Sequence, residues 1–357
     1  MSLQKTTSGQ PWLNSAIADG IFILLPPFLA LIVVMLFPAQ FKVSEAMPLE
    51  YWIVLVVFID VAHVYATLYR TYFNPDKRAG QFNLLVAIPI ACYFVGVLVY
   101  HIDGLLFWRV LAYLAVYHFI RQQYGFMRLY SRQENTGRFA KGIDQLAIYT
   151  ATIYPLLFWH FEGKRNFNWF VAGDFLSLSS APLVALFSWL YGIVIAAYLL
   201  KELLLMYKTK QLNIPRNMLI AGTFISWYFG IVYFNGDMAF TTLNVVSHGI
   251  PYMALIWFFE RENYKKGLKR SSSLLRMTFS KYGILLFIGT VAVLAYLEEG
   301  LWDGLVWKEH GSFFAGFSFL PQIYQTDFLT LLIPLLALPQ STHYVLDGFI
   351  WRRKGLN

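Results

Sequence analysis

The chain has 357 residues, little charge and almost no cysteine. Asp, Glu, Lys and Arg make up 13% of it, whereas soluble domains carry about 25%. There is one cysteine, Cys92, and it lies inside an apolar stretch. A single cysteine excludes an intrachain disulfide and a thiolate metal cage. Apolar residues reach 58%, and mean hydropathy is +0.52. This composition excludes an ordinary soluble domain and favours an integral membrane protein.

Two patterns that mark known membrane enzymes are also missing. No two histidines lie closer than the 17 positions between His101 and His118, so the tight HxxxH and HxxHH boxes of fatty-acid desaturases and alkane hydroxylases are excluded. The paired-aspartate DxxxD motif of polyprenyl transferases is absent.

The first 20 residues lack the basic and apolar regions of a cleaved signal peptide.

The apolar residues fall into blocks of about 20, the length that a helix needs to cross the hydrocarbon core of a bilayer. There are ten blocks: 21–38, 51–69, 83–101, 105–127, 144–160, 182–205, 217–234, 239–259, 282–297 and 327–350. We therefore predict an all-α, polytopic bundle of about ten transmembrane helices. It forms a single domain, 1–357, with a short cytoplasmic segment, 1–20, and an extracytoplasmic loop, 298–326.

The net charge of +8 is explained by orientation in the membrane. With ten spans, 23 of the 28 Lys and Arg residues lie on one side, which the positive-inside rule makes cytoplasmic. The exceptions are Lys42, Arg109, Lys164, Arg165 and Lys308. We predict cytoplasmic termini, a multi-pass protein of a bacterial inner membrane, and contact with anionic lipid headgroups at the cytoplasmic face. Nucleic acid is not an expected partner.

Four of the seven histidines lie inside even-numbered spans: His63, His118, His248 and His343. At about 1.5 Å per residue they are roughly 10–20 Å from the inner surface. His101, His160 and His310 fall at or beyond the outer boundary. Because the four helices run in the same direction, their histidines can meet at one depth. We therefore predict a histidine cluster that binds a metal ion through these four residues.

Each of the four histidines has a polar companion three or four positions away, on the same helix face. The companions are Asp60 for His63, Gln122 for His118, Asn244 and Tyr252 for His248, and Gln340 and Asp347 for His343. A metal-binding imidazole needs a partner on its second nitrogen, usually a carboxylate or a carbonyl. We predict that Asp60, Asp347, Tyr252 and Gln122 take part in catalysis around the ion.

An all-imidazole site with carboxylates behind it suits iron, copper or zinc and disfavours magnesium and calcium. Hydrolytic zinc chemistry would need water at this depth, whereas O2 is more soluble in hydrocarbon than in water. Fe(II) is therefore the expected ion, with copper and zinc as alternatives, and O2 is the expected co-substrate. The expected substrate is a lipid or another hydrophobic small molecule that arrives from the bilayer.

The four histidine motifs resemble those of the bacterial Brp/Blh-type membrane carotene dioxygenases. The matching stretches are "DVAHVY" (60–65), "YHFIRQ" (117–122), "SHGIPYM" (247–253) and "THYVLDGFIWR" (342–352). The resemblance implies a histidine-held iron and an oxidoreductase that cleaves a polyene with O2. The chain departs from the family pattern in three places: Asp60 precedes His63, Ile120 replaces a glycine, and Tyr252 stands in place of a second histidine.

Two other functions stay open. In a membrane-bound O-acyltransferase His248 would act alone as general base, with Asn244 nearby, and "SHGIPYMALIW" resembles the WHG…W helix of those enzymes. In a proton-coupled transporter the intramembrane Asp60, Asp347 and histidines would form a relay. Only the oxygenase needs a stoichiometric transition metal, so metal content separates the three functions.

Overall fold

The computed structural model describes residues 9–41, 47–266 and 272–351. Helices joined by turns and loops make up these ranges, which contain no β-strand, and the all-α prediction is confirmed. Seven of the cations used to predict topology lie outside them: Lys5, Lys42, Lys269, Arg270, Arg352, Arg353 and Lys354.

The main helices follow the ten apolar blocks. They are α1 (Ala16–Leu24), α2 (Pro26–Leu36), α3 (Leu49–Arg70), α4 (Phe82–Ile102), α5 (Gly104–Tyr130), α6 (Arg138–Glu162), α7 (Ala181–Thr209), α8 (Ile214–Trp227), α9 (Asp237–Lys265), α10 (Ile284–Trp307), α11 (Thr326–Leu336) and α12 (Leu338–Ile350). Segments of π-helix occur at Gly20–Leu24, Ile53–Val61, Tyr228–Tyr233 and Asp303–Trp307. Shorter helices are Pro38–Phe41, Pro75–Gly80, Ser273–Thr278 and the 3₁₀ turn Ala315–Phe317.

Five helices are long and apolar enough to cross a bilayer, namely α3, α4, α7, α9 and α10. Two bent pairs raise the number to seven if each pair forms one span: α1 with α2, bent by 51°, and α11 with α12, bent by 42°. Helices α5, α6 and α8 cover the remaining predicted blocks but are not in this group. The described chain therefore supports five to seven spans.

The predicted loop 298–326 begins inside a helix. Helix α10 runs on to Trp307, past the predicted end of its block at residue 297. Two acidic residues of this predicted loop, Glu298 and Asp303, are both buried. Gln340 donates its Nε2 hydrogen to Glu298 over 3.4 Å, and the backbone N–H of His310 donates to Asp303 over 2.6 Å. These internal donors replace water, so the carboxylates do not end the helix.

Helix α9 is the central helix of the bundle. In its most apolar 18-residue window 61% of the residues are buried, against 6% in α4 and 11% in α7, which lie at the periphery. Gly249 lets α9 pack closely on α3, because a Cβ at this position would lie 2.9 Å from the backbone oxygen of Ile59. Since Gly249 follows His248, this contact brings His248 close to α3.

A buried ion network ties the helices α6, α7 and α8 together. Arg216 contacts both carboxylate oxygens of Glu134, over 2.7 and 2.8 Å, and Asp144 over 3.3 Å. Arg216 also donates to Glu202, and Lys201 contacts Asp144 and Glu202. The topology prediction counted Lys201 and Arg216 as cations near the cytoplasmic surface. In the structure they are buried and paired, so they hold helices together.

Candidate metal centre

The structure brings together the four histidines of the predicted spans, which lie on α3, α5, α9 and α12. His63, His118, His248 and His343 are each at most 2% exposed. Five of the six ring pairs have centroids 4.4 to 6.4 Å apart. His63, His118 and His343 each offer a nitrogen within 4.8 Å of the other two. The four histidines that were predicted to lie at one depth therefore also lie close together in the structure.

The Nε2 atoms of the cluster face one another in two pairs. His63 Nε2 lies 3.1 Å from His248 Nε2, and His118 Nε2 lies 3.1 Å from His343 Nε2. Nitrogens that bind one tetrahedral ion at about 2.0–2.1 Å lie about 3.3 Å apart, so the spacing within each pair fits two ligands of one ion. Hydrogen bonds between neutral imidazoles have a similar N···N distance. The N···N distances alone therefore fit both arrangements.

Two of the outer Nδ1 atoms face carboxylates. His118 Nδ1 is 3.5 Å from Asp347 Oδ2, and His63 Nδ1 is 3.6 Å from Asp60 Oδ1. Metal-ligating histidines commonly direct their second nitrogen toward such groups. Asp347 shares α12 with His343, yet the imidazole beside it belongs to His118. Asp347 was predicted as the companion of His343, and the structure places its carboxylate beside the imidazole of His118.

The charge at the centre also suits a divalent cation. The Asp347 side chain is only 10% exposed, and an ionised carboxylate in such a place needs a compensating charge. Arg70 supplies part of this charge, but its guanidinium is shared with Glu260, at 2.9 Å, and packs on the Trp351 ring, 3.9 Å from its centroid. Neutral imidazoles bring no charge of their own. A divalent ion among them would balance Asp347 together with Asp60.

A hydrogen-bonded chain connects His343 to Asp347. Thr67 Oγ1 lies 2.7 Å from His343 Nδ1 and 3.0 Å from the hydroxyl of Tyr252. Tyr252 in turn donates to Asp347 Oδ1 over 2.6 Å. In this arrangement Tyr252 orients its neighbours. Thr67 was not predicted, although it lies four positions after His63 and therefore on the same helix face.

Aromatic rings cover two of the imidazoles. Phe119 lies flat on His248, with the centroids 3.4 Å apart and the planes within 7°. Tyr344 lies over His118 at 5.3 Å and 32°. Each ring directly follows a cluster histidine in the sequence and packs on a histidine of another helix. These contacts fix the imidazole planes and keep water away from them.

Three predicted companions do not contact an imidazole of the cluster. Gln122 donates from Nε2 to the backbone oxygen of His248 over 3.0 Å, so it joins α5 to α9. Asn244 donates to Phe240 O within α9, and Gln340 reaches Glu298. Their side-chain amides support helix packing around the site.

The remaining three histidines lie outside the cluster, as their position in the sequence predicted. His160 contacts the Tyr113 hydroxyl and the backbone oxygen of Leu156, each over 2.6 Å. His310 packs against the ring of Trp52 at 4.1 Å, and His101 is exposed at the end of α4. His160 is therefore a suitable control for substitutions in the cluster.

Comparison of the chain with protein-family models, with curated proteins and with solved structures finds no match. The resemblance to the Brp/Blh-type dioxygenases therefore stays a prediction, as do the roles assigned to the histidines and their companions.

We expect Thr67→Val to weaken metal binding about 10–100-fold, the usual effect of removing an outer partner of a ligand histidine. Valine keeps the shape of threonine but lacks the hydroxyl that meets His343 Nδ1. Titration of the metal-free protein with Fe(II) or Zn(II) against a chelator measures the effect. Thr67→Ser keeps the hydroxyl and should bind like the parent. Equal affinity of Thr67→Val and the parent would rule out this orienting role.

Proposed function

We propose that the protein is a membrane-embedded, histidine-coordinated metal oxygenase. His63, His118, His248 and His343 would hold Fe(II), and the substrate would be an apolar lipid or polyene that reacts with O2. The observation that carries this proposal is the grouping of His63, His118 and His343, with nitrogens within 4.8 Å of one another, and of His248, whose Nε2 lies 3.1 Å from that of His63, inside an apolar bundle. Copper and zinc have the same preference for imidazole and are the alternative ions.

Bound iron would supply the activation of O2, and the chain's own groups would prepare the site. Asp60 and Asp347 would favour hydrogen on the outer Nδ1 atoms of His63 and His118, which leaves the inner Nε2 lone pairs free for a metal. Thr67 would likewise favour hydrogen on Nδ1 of His343 by accepting a hydrogen bond from it. The dry, preorganised surroundings suit an oxidation that has to exclude water.

We also propose that all ten apolar blocks cross a bacterial inner membrane and that both termini are cytoplasmic. Helices α5 and α6 have 27 and 25 residues, more than the roughly 20 needed to span the hydrocarbon core. Helix α5 also carries His118 into the same cluster as His63 and His248, which lie on the candidate spans α3 and α9. A shared depth for these histidines is simplest if α5 spans the membrane too.

Reporter fusions test this topology. Fusions at Gly163, in the turn after α6, and at Gly311, in the turn after α10, should report an external location. A fusion at Gly137, before α6, should report a cytoplasmic one, because the cations flanking this loop favour the inside. A cytoplasmic signal at Gly163 or an external signal at Gly137 would contradict ten spans.

A proton-coupled transporter is the second candidate, and one observation favours it. The contacts from His343 through Thr67 and Tyr252 to Asp347 form a continuous chain along which protons can be passed. The O-acyltransferase has less support, because His248 is not isolated. Its Nε2 faces His63 and its ring is covered by Phe119.

Metal content per protein distinguishes these functions. After metal-replete expression we expect the parent to contain about one transition-metal ion and each of the four His→Ala variants to contain much less, since each removes a ligand. His160→Ala, outside the cluster, should match the parent. Asp347→Asn should have a milder effect, because the amide keeps a hydrogen-bonding shape. A metal-free parent would contradict the oxygenase.

A further inference from the structure

An elongated cavity of about 270 Å³ lies between α4, α5 and the bent pair α11 and α12. Cys92 and Ser341 are its polar lining residues, and the others are apolar apart from Gly96. On α4 the lining extends from Ile88 to Val99, roughly 17 Å at 1.5 Å per residue. The space is therefore long and narrow, and its walls are mainly hydrocarbon.

The cavity opens sideways, toward the membrane. Val95 of α4 and Val110 of α5 both line it and are 56% and 46% exposed, whereas Ile88 and Leu111 on its inner wall are 9% and 3% exposed. Val95 lies near the middle of α4, a candidate span. At that depth a bilayer contains only hydrocarbon. Whatever enters between Val95 and Val110 therefore comes from the lipid interior.

Helix α4 is fixed beside this opening. A Cβ at Gly96 would lie 2.9 Å from Cβ of Pro334, so α4 and α11 touch within the lining of the cavity. The cavity also lies next to the helices of the histidine cluster. Leu111 and Leu114 precede His118 by seven and four positions, on the same face of α5, and Ser341 and Val345 flank His343 on α12.

We propose that this cavity binds one linear hydrocarbon chain, which enters from the bilayer between α4 and α5. The apolar lining, the narrow length and the opening at mid-membrane depth fit such a chain. A polar ligand would lose its hydration for contact with little more than one thiol and one hydroxyl. Binding of the hydrocarbon chain in this cavity does not depend on a metal at the histidine cluster.

Photolabelling with palmitate that carries a diazirine in mid-chain tests the site, using the full-length protein in lipid nanodiscs. Labelling of the α4 and α5 segments around Val95 and Val110 should saturate and be displaced by excess palmitate. Ala91→Trp places a large ring in the cavity lining and should lower this labelling about tenfold. Ile90→Trp, one position away on the exposed face of α4, should leave it unchanged.

Labelling that does not saturate, or that falls equally in both tryptophan variants, would indicate ordinary surrounding lipid and would overturn the proposal. His118→Ala should be labelled like the parent. Saturable labelling of a metal-free parent would refute the oxygenase and support the chain site.

Discussion

The structure depends on placing four imidazoles and two carboxylates at one point inside an apolar bundle. Buried polar groups are costly when they lack a partner, so the helices around this point have little freedom. Gly249 and the His63–His248 pair set the distance between α9 and α3, and the His118–His343 pair sets the distance between α5 and α12. Thr67 and Tyr252 then fix how α3, α9 and α12 are rotated.

The centre is connected to one end of the bundle by a short series of contacts. Trp351 donates from Nε1 to Asp347 over 2.8 Å, and its ring packs under the guanidinium of Arg70. Arg70 pairs with Glu260 and donates to the backbone oxygen of Ile350 over 3.1 Å. The ends of α3, α9 and α12 are thereby held together. A change in the position of Asp347 would therefore affect helix packing as well as His118.

The sequence predicts properties that belong to one helix at a time. Apolar runs predict the helices, and the depth of His63, His118, His248 and His343 predicts that they can meet. Contacts between helices could not be predicted, because they depend on how each helix is rotated and tilted. Thus Asp347 lies beside His118, Thr67 contacts His343, and Phe119 packs on His248. Helix α10 is also longer than predicted. The hydrogen-bond partner of Glu298 is Gln340, far away in the sequence, and the partner of Asp303 is the backbone N–H of His310, in the turn after the helix.

X-ray absorption at the metal edge tests the central claim, that the four histidines share one ion, most directly. For the iron- or zinc-loaded protein the account predicts about four nitrogen neighbours at roughly 2.0–2.2 Å, with the outer-shell scattering of imidazole rings. In His343→Ala one imidazole should be lost from that shell. A shell of oxygen alone, or an imidazole count that is the same in His343→Ala and the parent, would contradict it.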